Sequence, residues 1–157
     1  MMYFAYGSNL NIDQMNYRCP DSRYIMNGVL PGHRLVFRGP LDIQRQNRKV
    51  THGAIFQISK RDLRALDHYE GYPKCYTRQI MSIQMDKDAY IDCWVYQMTN
   101  RTVEKRDGRM PSDRYMETVI DGALELDIPL DPIMEAYQQT KRRCFLDLNI
   151  SFKFVTA

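Results

Sequence analysis

The apolar positions of this chain follow two spacings: an every-second-residue alternation that marks strands and a three-to-four-residue recurrence that marks helices. The first apolar run, Tyr3 to Tyr6, is short and aromatic and suits a buried strand, and Gly7-Ser8-Asn9 then supplies residues that tolerate unusual backbone angles. Asn11 caps a short helix with Asp13 in its first turn, and Pro20 stops it. Tyr24 to Leu30 and Arg34 to Phe37 read as two strands flanking Pro31-Gly32, the turn of a hairpin. Gly39 to Lys49 is polar and basic without a period and reads as a solvated loop. Val50 to Ile58 is again strand-like, with Gly53 marking a bend or a close backbone approach.

Ser59-Lys60-Arg61-Asp62 has the form of a capping box, and Leu63, Leu66 and Tyr69 recur behind it on one face, so a helix of about ten residues is predicted, ended by Gly71 and Pro73. Tyr76 to Met85 and Tyr90 to Met98 form a second hairpin around Asp86-Lys87-Asp88. Thr99 to Met110, with Arg101, Lys105, Arg106 and Arg109, reads as a polar loop that either covers a site or faces water. Pro111-Ser112 opens a helix with Tyr115, Met116, Val119, Ile120, Ala123 and Leu124 at helical spacing. Asp131-Pro132 opens another through Tyr137, and Lys141-Arg142-Arg143 complements the dipole at its end. From Leu146 to Phe154 apolar and polar residues alternate, which predicts a half-buried C-terminal strand within 145–157, covered either by its own chain or by a second copy in a homodimer.

Composition adds limits. A chain of 157 residues, 44% apolar and 26% charged, can bury one adequate core, so a single domain over 1–157 is expected. The formal charge of +3 is small beside 22 basic and 19 acidic side chains, which ranks nucleic acid and membrane surfaces low as partners. No basic segment followed by an apolar signal core opens the chain and no apolar run approaches ~20 residues, so a cytoplasmic location is expected. Cys19, Cys75, Cys93 and Cys144 form no Cys-x-x-Cys pair and have three histidines to share a metal with; they read as reduced, small apolar side chains.

Two features carry chemistry. The turn at Gly7-Ser8-Asn9, just before a helix, can aim successive N–H groups at a carboxylate or phosphate. Glu70 sits in the last turn of its predicted helix, the end where the dipole disfavours a negative charge. Such a charge is either an accident of a solvated helix or a carboxylate held beside a pocket with a raised proton affinity, as a general base needs.

Tyr3-Phe4-Ala5-Tyr6-Gly7-Ser8-Asn9-Leu10, the mid-chain Glu70-Gly71 and the late Met98-Thr99-Asn100 followed by Pro111-Ser112 and Tyr115 resemble the γ-glutamylcyclotransferases. The likeness runs from about Tyr3 to Tyr137. It implies an α+β fold, a small mixed, barrel-like β-sheet with surrounding helices, consistent with the strands placed above. It also implies conversion of γ-glutamyl amides to 5-oxoproline without a metal or other cofactor, on a small-molecule γ-glutamyl substrate. By residue, it implies that Tyr3, Phe4, Ala5, Tyr6, Gly7, Ser8 and Asn9 hold the α-amino and α-carboxylate end, that Glu70 is the acid/base, and that Tyr115 helps close the site. Tyr76 and Tyr96 fall on strands near it. Gly39 to Lys49 and the tail from Cys144 show no family motif. The leaving group therefore stays open among glutathione, γ-glutamyl amino acids, γ-glutamylamines and other γ-glutamylated metabolites. The alternative is a non-catalytic module that captures a carboxylate-bearing ligand in the same seat.

Overall fold

The computed structural model describes residues 1–155, with side chains described through Leu146. Among them are five strands, β1 (Met2–Ala5), β2 (Arg23–Phe37), β3 (Leu41–Gln57), β4 (Tyr76–Asp86) and β5 (Ala89–Met98), which close a barrel in the order β1-β3-β2-β4-β5. Five α-helices surround it: α1 (Ile12–Arg18), α2 (Lys60–Glu70), α3 (Asn100–Arg106), α4 (Asp113–Glu125) and α5 (Asp131–Val155). The mixed, barrel-like sheet expected from the sequence is therefore present. β1 is short because it is the central staple. It runs antiparallel to β3 from Met2↔Gln57 to Ala5↔Ala54 and parallel to β5 at Tyr3↔Trp94, so both its edges are hydrogen-bonded and Tyr3 to Ala5 are buried.

Local chemistry fixes several elements as predicted. Asn11 accepts from the Gln14 N–H and caps α1. Ser59 and Asp62 form the reciprocal capping box of α2, and Gly71, at φ 66°, ends it in the left-handed conformation. Ser112 caps α4. Where α4 crosses the 3-10 turn Ser8–Leu10, Gly122 leaves room for the chain: a Cβ there would lie 2.4 Å from the Asn11 nitrogen. Helix and turn meet backbone to backbone, which presses residues 7–10 against the barrel end.

Four expectations are corrected. Pro31-Gly32 is no hairpin turn; β2 runs through it with a register shift between Pro31 and His33, and the chain reverses at Arg38-Gly39-Pro40. The stretch 41–49, read as a loop, is the first half of β3. Its side chains from Gln44 to Lys49 are exposed, so no inward face marks the strand in the sequence. Most of the predicted loop Thr99–Met110 is α3, capped by the Thr99 hydroxyl. Finally, the predicted strand of 145–157 is helical through Val155, and Lys141-Arg142-Arg143 lies inside α5 rather than at its end. Neither Gly nor Pro follows Pro132 to stop the helix, and Leu146, Ile150 and Phe154 are also spaced by four. Thr156 and Ala157, the last of that segment, lie outside the described residues. Among the described residues no helix is long and apolar enough to cross a membrane.

Candidate active site

At the end of the barrel where β1 runs into the 3-10 turn, a cavity of about 260 Å³ is bounded by Tyr3 and Tyr6, the turn Gly7-Ser8-Asn9, the end of α2 at Tyr69 to Gly71, and Tyr76, Tyr96 and Tyr115. The turn places backbone N–H groups ahead of its first internal bond, the feature from which the sequence suggested a seat. Its internal bonding begins with Leu10 N–H donating to the Gly7 carbonyl at 2.9 Å, so the N–H groups of Ser8 and Asn9 come before the first intrahelical bond.

Asn9 joins the seat to the carboxylate. Its side-chain nitrogen donates to Glu70 Oε1 at 3.1 Å and to the Tyr3 hydroxyl at 2.8 Å, while Arg18 donates to its side-chain oxygen. Arg18 also lies over the Tyr69 ring, its guanidinium carbon 3.5 Å from the centroid, and the Tyr69 and Ser8 hydroxyls are 3.3 Å apart. α2 thus delivers Glu70 to the cavity, and α1 holds the residue that positions it. Burial pushes the Glu70 carboxyl up from 4.5 to about 7, against the opposing pull of the Arg18 charge and the Asn9 hydrogen bond.

The tyrosines are pinned one by one. Tyr6 donates to the Tyr96 carbonyl at 2.7 Å, Tyr96 to Asp67 at 2.7 Å, and Tyr76 to the Leu41 carbonyl at 3.0 Å. The Tyr115 hydroxyl accepts from the Leu41 N–H at 3.0 Å, which leaves its own proton to donate. Burial raises the pKa of Tyr3, Tyr6, Tyr76, Tyr96 and Tyr115, so all five are neutral donors near pH 7. Behind Leu41, Asp42 is buried between Arg38 at 2.6 Å and the Met98 N–H at 2.9 Å, which ties the β2–β3 turn to the end of β5.

Tyr3, Tyr6, Gly7, Ser8, Asn9, Glu70, Tyr76 and Tyr115 therefore share one cavity. Phe4 and Ala5 do not: both are core residues. Gly53 on the neighbouring strand marks their packing, since a Cβ there would lie 2.5 Å from the Phe4 ring and 2.3 Å from the Ala5 carbonyl oxygen. Sequence reasoning missed Arg18, Tyr69 and Arg106. Arg18 follows Gln14 by one helical turn and bonds it, a spacing that could have placed it. Tyr69 was assigned to an apolar stripe, and Arg106 to a loop. Cys75, expected as an apolar filler, is exposed at the cavity wall, whereas burial pushes the Cys19 and Cys93 thiols up to about 12. Among the described residues no cluster of side chains could hold a metal ion.

A family model described as Gamma-glutamyl cyclotransferase, AIG2-like matches residues 3–117, and the chain belongs to that family. It is 27% identical to the Gamma-glutamylcyclotransferase of Bos taurus over 146 residues, 83% of this chain and 73% of that protein. Against the Gamma-glutamylcyclotransferase of Homo sapiens it is 26% identical over 143 residues, with the same shares covered. Among solved structures it is similar to a Gamma-glutamyl cyclotransferase with a TM-score of 0.74 and 25% identity, covering 90% of this chain and 86% of that one.

Proposed function

We propose that this chain cyclises γ-glutamyl amides to 5-oxoproline with release of an amine or amino acid, and that Glu70 is its acid/base. The observation that carries this is the Glu70 carboxylate at the cavity wall, hydrogen-bonded across to Asn9 and raised to about 7. That value brings it close to an α-amine, whose ordinary pKa is about 7.7 to 8.0, so proton transfer between the two is nearly balanced.

The substrate's α-carboxylate sits on the N–H groups of the 7–9 turn, which leaves the adjacent ammonium facing Glu70. Glu70 takes one ammonium proton, and the freed nitrogen lone pair attacks the γ-carbonyl carbon, closing a five-membered ring. Negative charge moves to the carbonyl oxygen, where the Tyr115 hydroxyl is an available donor. Glu70 returns its proton to the departing nitrogen as the C–N bond breaks. The second proton lost by the ring nitrogen passes through water to the released amine. Holding both ends of one molecule in contact supplies much of the rate.

The test is to incubate the purified protein and its Glu70→Gln variant with a panel of γ-glutamyl compounds and measure 5-oxoproline. Removing the base is expected to lower kcat by about 10²–10⁴-fold. Equal turnover by both proteins removes Glu70 from the mechanism. Binding without product from any compound favours the carboxylate-capture module instead.

A further inference from the structure

Two charged side chains stand on the cavity wall among the described residues, Glu70 and Arg106. Glu70 is engaged by Asn9. The Arg106 guanidinium makes neither a hydrogen bond nor an ion pair among the described residues, yet the residue is only partly exposed. It sits in the last turn of α3, where a cation complements the helix dipole, but exposed Lys105 beside it can serve that purpose from the solvent side.

α3 is not free to swing this residue away. The Thr99 N–H donates to the Cys75 carbonyl at 3.0 Å and the Thr99 hydroxyl to the Lys74 carbonyl at 3.0 Å, which clamps the start of the helix to the cavity rim. Thr102, one turn on, lines the same wall. The guanidinium also lies near the β2–β3 turn, 3.6 Å from where a Gly39 Cβ would be. Tyr76 lines the same cavity as the two charged side chains.

We propose that Arg106 receives a carboxylate on the leaving group, so that the preferred substrates are γ-glutamyl amino acids or peptides rather than γ-glutamylamines. This rests on the function proposed above. A γ-glutamyl amino acid carries one ammonium and two carboxylates, and the cavity offers a partner for each: Glu70 for the ammonium, the turn N–H groups for the α-carboxylate, and Arg106 for the second carboxylate. A γ-glutamylamine lacks that last group and leaves the guanidinium partly desolvated with nothing to pair. A site built for a polar group discriminates against an analogue without it because its own partner is stranded.

The test compares kcat/KM for 5-oxoproline release from γ-glutamyl-alanine, γ-glutamyl-alanyl-glycine and γ-glutamyl-ethylamide, which is the alanine compound without its carboxylate. The proteins are wild type, Arg106→Met and Arg106→Lys, each with its thermal unfolding transition measured as a check on folding. Wild type is expected to favour the alanine compound over the ethylamide by about 10–100-fold, with Arg106→Met bringing that ratio close to 1 and Arg106→Lys falling between. The dipeptide distinguishes a carboxylate next to the leaving nitrogen from one a residue further out: whichever compound loses more in Arg106→Met carries the recognised group. Wild-type ratios near 1 for both the alanine compound and the dipeptide over the ethylamide, or equal losses on acids and amide in both variants, overturn the assignment while leaving the cyclisation intact. Absence of 5-oxoproline from all three compounds with wild type overturns the assignment and the proposed function together.

Discussion

The two ends of the cavity are built differently. At the seat, Asn9 alone binds Tyr3, Glu70 and Arg18, and Gly122 brings α4 against the turn behind it. At the far end, backbone is held just as firmly, with both polar groups of Leu41 taken by Tyr115 and Tyr76 and Asp42 locked to Arg38. The side chain that faces the cavity there, Arg106, is held by nothing among the described residues. Under the proposed function, the first end receives the γ-glutamyl group, which is common to all such compounds, and the second is a firm frame carrying one adaptable cation. Rigidity then falls where geometry would decide the rate, and freedom where the partner would change.

The strongest challenge to this contrast is the pH profile. If Glu70 is the base, wild-type kcat/KM falls about tenfold per pH unit below about 7, reaching roughly 100-fold at pH 5. A profile that is flat down to pH 5 breaks the catalytic half of the comparison. Next in size is the frame. Asp42→Asn leaves the buried Arg38 charge only the half-exposed Asp107 at 3.7 Å in place of the anion at 2.6 Å, and denaturant unfolding should show a loss of about 3 kcal/mol. An unchanged unfolding midpoint means that the far end is not the firm frame described.

Much of the seat was readable because its determinants are local. Asn11, Ser59 with Asp62, and Gly71 set helix ends by their own backbone chemistry, and the end of α2 fixes where Glu70 lies. The far end was not readable, since its elements exist only through long-range pairing. β3 from Gln44 to Lys49 is exposed and shows no inward period, and Pro31-Gly32 copies a turn that the ribbon absorbs as a bulge. α3 is seven polar-rich residues, too short to show a stripe. Within the seat, sequence motif alone could not separate Tyr3 and Tyr6, which line the cavity, from Phe4 and Ala5, which fill the core.

A smaller effect concerns stability and runs opposite to activity. The native Glu70 carboxyl keeps its proton up to about 7 while the unfolded one releases it near 4.5, so between these values the native state binds more protons and raising the pH costs stability. Glu70→Gln removes that cost. Relative to wild type it should gain nothing near pH 4, then gain progressively to about 2 kcal/mol above pH 7 after allowance for partial exposure. Chemical denaturation at several pH values reads this directly, and a gain largest at low pH has the wrong sign for a desolvated base.

The smallest expected change is at Arg18. Its charge lowers the Glu70 pKa, so Arg18→Met should move the acid limb of kcat/KM to higher pH and cost several-fold more activity at pH 6 than at pH 8.5. A shift of the limb to lower pH contradicts the placement of that cation behind the base.

The Tyr115 hydroxyl has one more consequence. It binds the Leu41 N–H and lies 3.0 Å from where a Cβ on Gly7 would sit, so the floor of the cavity is finished by a residue late in the chain. During synthesis the 7–9 turn, Glu70 and the barrel strands all leave the ribosome before this closing hydroxyl. A nascent chain therefore has no finished cavity until translation has passed residue 115, and any N-terminal fragment released earlier exposes an open one.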